Sequence, residues 1–455
     1  MRGKSARLIE GDVGKTLIDL TLPMLFGVAG MVIFNLADTF FLGMLGTDEL
    51  AAITFTFPVV LVIGSLAMGL GIGASAVISR AVGEGDHGKV TRLITDSLIL
   101  ALCVVGIFVT AGFLTIEPMF RLLGADGEIL ELVKKYMVIW YAGIGFLIVP
   151  MVGNNAIRAM GDTKTPSLIM MVAAIVNVAL DPLLIFGYGP IPRMEMEGAA
   201  IATIIARAIT FVVAIYVLYW RESVLSFKLA SLSDMLESWK QILHIGLPAA
   251  GSRMVVPVAT GIITILVAAY GPEAVAAYGV ASRIEFFGMI MVFALSVVLG
   301  PFIGQNLGAG KGERVREGVS YSKRFSIWWG AGIFLLMLAV AGPVASAFTD
   351  NPDVQSKVVL YLMVVPVGYG FFGIIQISMS VLNVLNRPYH ASLLPISHAF
   401  IFYLPLAYAG SAWFGLPGIF YALTISYFLA GTLAHFLLES ALKSEKVMPQ
   451  PEPAA

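Results

Sequence analysis

The sequence predicts an all-α polytopic membrane protein: twelve transmembrane helices in two parallel six-helix bundles, an N-lobe and a C-lobe, around a central cavity. Three observations carry this. The chain is 58% hydrophobic and only 13% charged, against about 25% charged in soluble domains. Apolar runs long enough to cross a bilayer recur along its whole length. The second half repeats the first in register.

A span needs ~20 apolar residues. Runs of that kind lie near 16–42, 50–78, 92–116, 131–157, 166–188 and 198–220, then near 241–269, 276–303, 321–347, 357–384, 389–413 and 417–440. The first run is too long for the apolar core of a signal peptide and lacks a cleavage site, so it is expected to remain as span 1. The implied organisation is a cytoplasmic N-terminus (1–15), an N-lobe of spans 1–6 (16–220), a polar cytoplasmic linker (221–240), a C-lobe of spans 7–12 (241–440) and a disordered cytoplasmic tail (441–455). The linker is marked by Arg221, Glu222, Lys228, Asp234, Glu237 and Lys240.

Lysine and arginine sort by side. With the N-terminus inside, 20 of the 28 fall on the cytoplasmic side, 5 on the opposite side and 3 (Arg207, Arg253, Arg283) within spans. That bias sets both termini in the cytoplasm. A net charge of −1 and the absence of a basic tail give no reason to expect a nucleic-acid partner. The single cysteine, Cys103, excludes an intramolecular disulfide and is expected to pack or face lipid.

An offset of 225 residues carries Leu22-Pro23 onto Leu247-Pro248, Gly46 onto Gly271, Gly83 and Gly85 onto Gly308 and Gly310, and Pro118 onto Pro343. It also carries Tyr136 onto Tyr361, and Gly143, Gly145 and Phe146 onto Gly368, Gly370 and Phe371. After span 5 the first copy has five extra residues, and the offset becomes 220, with Gly198 answering Gly418. Six spans per copy give both copies the same orientation, the parallel repeat common in secondary transporters.

Ionisable groups inside spans are costly and mark function by default. Asp38 lies in the outer half of span 1, in Asn35-Leu-Ala-Asp38-Thr39; Asp181 lies in the outer half of span 5, in Asn177-Val-Ala-Leu-Asp181-Pro182. Asn177 and Asp181 are four apart and share a helix face. Two carboxylates in one poorly solvated site disfavour full ionisation, so the pair can hold a proton; with Asn and Thr oxygens it could instead hold Na⁺. The plain alternatives are that Asp181 ends a helix before Pro182 and that Asp38 bonds a neighbouring span. The repeat argues against both. In the second copy Asp38, Asn154, Asn177 and Asp181 become Ile263, Met379, Phe402 and Leu406, and Thr203 becomes Leu423. Groups needed only for packing should recur in both copies, so the asymmetry points to a cation site in the first.

Asn154, Asn155, Met31, Met151 and Arg253 are candidate cavity-lining groups, each also explicable by ordinary packing. Arg283 and Glu285 are two apart in span 8 and do not face each other; snorkelling explains the arginine. No histidine is spaced with another as a metal site requires. Gly14-Lys15-Thr16 lacks the glycine and preceding strand of a phosphate loop, and Gly69-Leu-Gly71-Ile-Gly73 reads as close helix packing. Nothing here points to an enzyme, an ATPase subunit or an organic cofactor. Transport driven by an ion gradient or by substrate remains.

At this point the chain resembles the multidrug and toxic compound extrusion (MATE) transporters. The resemblance is carried by Leu22-Pro23, Asn35-Leu-Ala-Asp38-Thr39, Arg80-Ala-Val-Gly83-Glu-Gly85-Asp86, Arg158-Ala-Met-Gly161-Asp162-Thr-Lys-Thr-Pro166, Asn177-Val-Ala-Leu-Asp181-Pro182 and Gly198-Ala-Ala-Ile-Ala-Thr203. The acids in spans 1 and 5 look like the DinF-type branch; the extra acids of the NorM-type branch in spans 7 and 10 have no counterpart here. The resemblance implies a monomeric antiporter in a prokaryotic inner or plasma membrane. It would export amphipathic or cationic drugs in exchange for H⁺ or Na⁺. By position, Asp38, Asp181, Asn177 and Thr203 match the family's cation site, Asn154 a cavity residue, and Pro23 the hinge of span 1. A lipid or lipid-linked oligosaccharide flippase of the same superfamily is the alternative.

Overall fold

The computed structural model describes residues 8–226 and 231–444. Their helices are α1 (Val13–Gly43), α2 (Thr47–Glu84), α3 (His87–Leu122), α4 (Gly127–Gly143 and Gly145–Ala159), α5 (Lys164–Phe186) and α6 (Glu195–Arg221). The second set is α7 (Leu232–Ala268), α8 (Pro272–Gly308), α9 (Gly312–Phe348), α10 (Pro352–Val384), α11 (Pro388–Phe414) and α12 (Leu416–Ser444). Eleven are long and apolar enough to cross a membrane, and the two segments of α4, bent by 43°, make the twelfth. Each overlaps the run expected from the sequence. The helices turn large apolar side chains outward, such as Phe26, Ile107, Leu114, Ile265 and Trp328, because their surroundings are lipid. Cys103 is among the exposed residues. The tail expected from 441 starts later, since α12 runs to Ser444; the rest of it lies outside the described residues.

The five extra residues after span 5 form a tight turn between α5 and α6, closed by paired backbone bonds of 3.2 and 3.1 Å between Tyr188 and Ile191. At its far end α6 passes through a π turn, Val217–Arg221. Arg221 then ion-pairs with Asp162 and donates to Thr165 Oγ1 at 2.8 Å, tying the α4–α5 loop to the end of α6.

The repeat is physical. In the first copy α4 breaks at Ile144, between Gly143 and Gly145; in the second, α10 breaks in a 3-10 turn at Val365–Gly368. The glycines are there because a neighbour is close. A Cβ on Gly143 would run into Ile204, and one on Gly368 would lie 2.9 Å from the Tyr427 side chain. Those neighbours sit on α6 and α12, the last helix of each copy.

The chain divides into two compact units. Among the described residues, one holds those from Leu22 to Ala250; the other holds Leu8–Thr21 and those from Gly251 on. The cut differs from the expected one, which put 16–220 and 241–440 in separate lobes around a linker at 221–240. The first turns of α1 belong to the second unit, and the first half of α7 belongs to the first, so part of the expected linker is helix. The contacts give the reason. Gly69 and Gly73 of α2 leave room for the backbone of Gly246 and Ile242 on α7, and the Trp239 indole donates to the Asp96 carbonyl at 2.9 Å. In the second unit, Asn306 Nδ2 donates to the Leu8 carbonyl at 3.0 Å and Lys311 Nζ to that of Ile9 at 2.7 Å. Arg314 donates to the carbonyls of Gly11 and Glu10 at 2.6 and 3.2 Å. Each unit has its own buried apolar core.

Candidate functional site

The site follows from how α1 meets α5. A Cβ on Gly27 would lie 3.1 Å from Ser167, and one on Gly30 3.1 Å from Met171. Without those side chains the two helices touch. Further along the same face, Phe34 packs with Ala174 of α5 and Ala206 of α6. The next turn of α1 carries Asp38, which lies within electrostatic reach of Asp181 on α5. Gly198 lets the start of α6 close on the Leu184 carbonyl at the end of α5.

Asp181 and Asn177 are fully buried, at 0% exposure, and Asn177 Nδ2 donates to Asp181 Oδ1 at 3.0 Å. Asp38 Oδ1, Asp181 Oδ2, Asn177 Oδ1 and Asn154 Oδ1 are buried with no hydrogen-bond donor. Unsatisfied buried acceptors are costly; three of these oxygens belong to the linked residues Asp38, Asp181 and Asn177, and the fourth is on Asn154 of α4. Thr203 is half-buried on α6. Among the described residues no group of three His, Cys, Asp or Glu is arranged to hold a metal.

Two residues of this cluster were not singled out from the sequence. Arg207 lies one turn beyond Thr203, stacked over the Phe34 ring at 4.6 Å and within electrostatic reach of Asp38. Tyr136 of α4 is buried within reach of both Asp38 and Asp181. A signal for each existed. Arg207 shares a helix face with Thr203 at i, i+4, and Tyr136 is one of the residues retained by the repeat.

The cavity candidates separate. Asn154 is buried on the second segment of α4. Asn155 instead packs its side chain against Gly71 of α2 and donates to the Met151 carbonyl at 2.8 Å. Met151 is half-buried, Met31 is exposed, and Arg253 is exposed in the second unit. Pro23 stands inside an unbroken α1, one residue past the boundary between the units.

The MatE family model matches residues 23–183 and 248–409, two blocks that start 225 residues apart. The chain belongs to the MatE family. It is similar to a FAD transporter of Shewanella oneidensis, 38% identical, covering 95% of this chain and 96% of that one. A probable multidrug resistance protein of Bacillus subtilis, YpnP, is 28% identical with the same coverage. Among solved structures, the Vibrio cholerae MATE transporter VcmN in its bent form superposes with a TM-score of 0.90 at 32% identity, covering 96% of this chain and 98% of that one. This MatE chain is therefore a multi-pass membrane transporter of small molecules and not an enzyme.

Proposed function

We propose that this MatE transporter is a secondary exporter whose driving cation, H⁺ or Na⁺, binds in the first lobe at Asp38, Asp181, Asn177 and Thr203. The observation that carries the reading is the charge of the cluster. Two carboxylates, Asp38 half-buried and Asp181 buried, stand against the half-buried guanidinium of Arg207, leaving one net negative charge in the cluster. A buried uncompensated charge is expensive, so one monovalent cation completes the site. Arg207 makes the count one rather than two. Tyr136 brings a phenol within electrostatic reach of both acids.

Coupling follows if cargo and cation bind the two faces of the cycle differently. The outward-facing form takes the cation and releases cargo; the inward-facing form loses the cation and takes cargo. Both termini are assigned to the cytoplasm by the distribution of lysine and arginine. Pro23, with no amide hydrogen to donate to the preceding turn, is where α1 bends between its two anchorages. Asn154 faces the cargo.

Two cargoes have support. The 38%-identical relative, matched over nearly its full length, is named a FAD transporter, which favours an aromatic anionic dinucleotide. The relatives named for multidrug resistance or export are 25% to 28% identical, which supports amphipathic cationic drugs as the second reading. Reconstituted vesicles decide between them. Loaded with FAD or with a cationic dye, they are given a pH gradient or a Na⁺ gradient separately. FAD efflux driven by either gradient and exceeding dye efflux supports the first reading; the reverse ranking supports the second. No gradient-driven efflux of either rejects the proposed coupling.

A further inference from the structure

The second lobe carries a carboxylate that the first-lobe site does not use. Glu285, on α8, is half-buried. Its Oε1 accepts from the Tyr427 hydroxyl of α12 at 2.6 Å, and its Oε2 from the Tyr361 hydroxyl of α10. Tyr278, on the same helix, meets Tyr361 edge-on at 6.2 Å. His398 of α11 is stacked between Tyr403 and Tyr427, with ring centroids 6.2 and 5.0 Å away, and its Nε2 lies 3.2 Å from Ser426 Oγ. The Tyr369 hydroxyl is buried without a partner, within electrostatic reach of Glu285. From α9 comes Trp329, which donates to the Gly288 carbonyl at 2.7 Å. Arg283, on α8 itself, is exposed, and among the described residues the side chains bonded to Glu285 are those of Tyr361 and Tyr427.

The repeat shows what this cluster is. Tyr361 is the register partner of Tyr136, and Tyr427, at the 220-residue offset, is the partner of Arg207. In the first lobe Tyr136 lies within electrostatic reach of Asp38 and Asp181, and Arg207 of Asp38; in the second both positions bond Glu285. The scaffold therefore presents the same pair of positions to a carboxylate twice, although the carboxylate comes from α1 and α5 in one lobe and from α8 in the other. The second position differs in kind. A guanidinium cancels a charge permanently, whereas a phenol only donates a hydrogen bond. A carboxylate with two phenol donors and no cation, set among aromatic rings, is left to be neutralised by what it binds. Hard metal cations need several oxygen ligands, and here both phenol hydroxyls already point their hydrogens at the carboxylate. A proton needs one oxygen.

We infer that Glu285, held between Tyr361 and Tyr427, is a second proton-binding site of this transporter, in the second lobe and separate from Asp38 and Asp181. A proton on either Oε turns that oxygen from acceptor to donor. The phenol facing it must then accept, and its own hydrogen must find another oxygen. The Tyr369, Tyr403 and Tyr278 hydroxyls and the Ser426–His398 pair are polar groups nearby. Because the Tyr427 ring is stacked on His398, any shift of that phenol is transmitted from α12 to α11. Only the site's part in coupling rests on the proposed transport function; proton binding does not.

Infrared difference spectra of the purified full chain, taken as pH is lowered, test this. In the Asp38→Asn, Asp181→Asn double variant a protonated-carboxyl band should grow in that Glu285→Gln removes, seen by subtracting the two sets of spectra so that the chain's other carboxyls cancel. In the same background Tyr427→Phe should change the frequency of that band and move its midpoint to higher pH, because the phenol favours the charged form. If Glu285→Gln does not elute as the wild type does, the Tyr427→Phe shift decides alone. A band untouched by either substitution overturns the inference and leaves the first-lobe reading standing. Loss of the band, together with full coupled transport by the double variant, would instead support Glu285 and reject the first-lobe site.

Discussion

In the first lobe, the half-buried Asp38 of α1 and the buried Asp181 of α5 lie near Arg207 and Tyr136; in the second, one acid from α8 stands against Tyr427 and Tyr361. The framing positions correspond through the repeat, while the acids do not. Duplication preserved a place in the fold rather than a residue in the chain. Register-matching alone finds no acid in the second copy at the positions of Asp38 and Asp181. The structure finds one that reaches the corresponding place from another helix.

The largest effect expected is on coupling. Asp38→Asn with Asp181→Asn removes both negative charges and should lower gradient-driven efflux by at least ~100-fold, about 2.7 kcal/mol, in protein that still inserts and elutes as wild type. Efflux kept within twofold would break the assignment of the first lobe. Arg207→Gln should act next. It removes the positive charge beside Asp38, which favours binding of a proton. The pH profile of H⁺-driven efflux should therefore move to higher pH, and a profile unmoved or moved to lower pH would show that Arg207 does not set the site's charge.

Two stability measurements sharpen the contrast between the units. Gly69→Leu would force a side chain into the backbone of α7 at Gly246 and should cost ~1–3 kcal/mol, read as a lowered melting temperature in detergent. Its register partner is Ala294, so Ala294→Gly should cost less. The smallest effect concerns helix caps. Asn351 caps α10 by accepting from the amides of Asp353 and Val354 at 2.9 and 3.4 Å. Its partner Asp126 makes no such bond at the start of α4. Asn351→Ala should cost ~1 kcal/mol, and Asp126→Ala less, measured in the same way.

Much of the fold was legible, because the bilayer imposes it. A helix must bury its own polar backbone and show apolar side chains to lipid, so twelve spans and their order follow from apolar runs alone. The paired breaks at Gly143 and Gly368 were already visible as repeated glycines, as was the packing of Gly69 and Gly73. The division into units was not legible. It depends on Asn306, Lys311 and Arg314 binding carbonyls near the N-terminus, contacts some three hundred residues apart that no local pattern signals. In the site, Asp38, Asp181 and Asn177 stood out because charge is rare in spans. Arg207 carried the same signal but no partner could be assigned to it. The tyrosines around Glu285 were illegible as a cluster, since an aromatic residue in a membrane helix has many ordinary uses and only the folded chain brings four helices to one carboxylate.

Coupling of a cation gradient to export in the first lobe is probed by separating exchange from drive. Vesicles holding the wild-type chain or the Asp38→Asn, Asp181→Asn variant are loaded with FAD, or with a cationic dye, and assayed twice: for one-to-one cargo exchange at equilibrium, and for uphill efflux under a pH or Na⁺ gradient. Wild type is predicted to do both, and the variant to retain exchange while uphill efflux falls to the level of empty vesicles. Uphill efflux by the variant at the wild-type rate would show that the driving cation binds elsewhere than at Asp38 and Asp181.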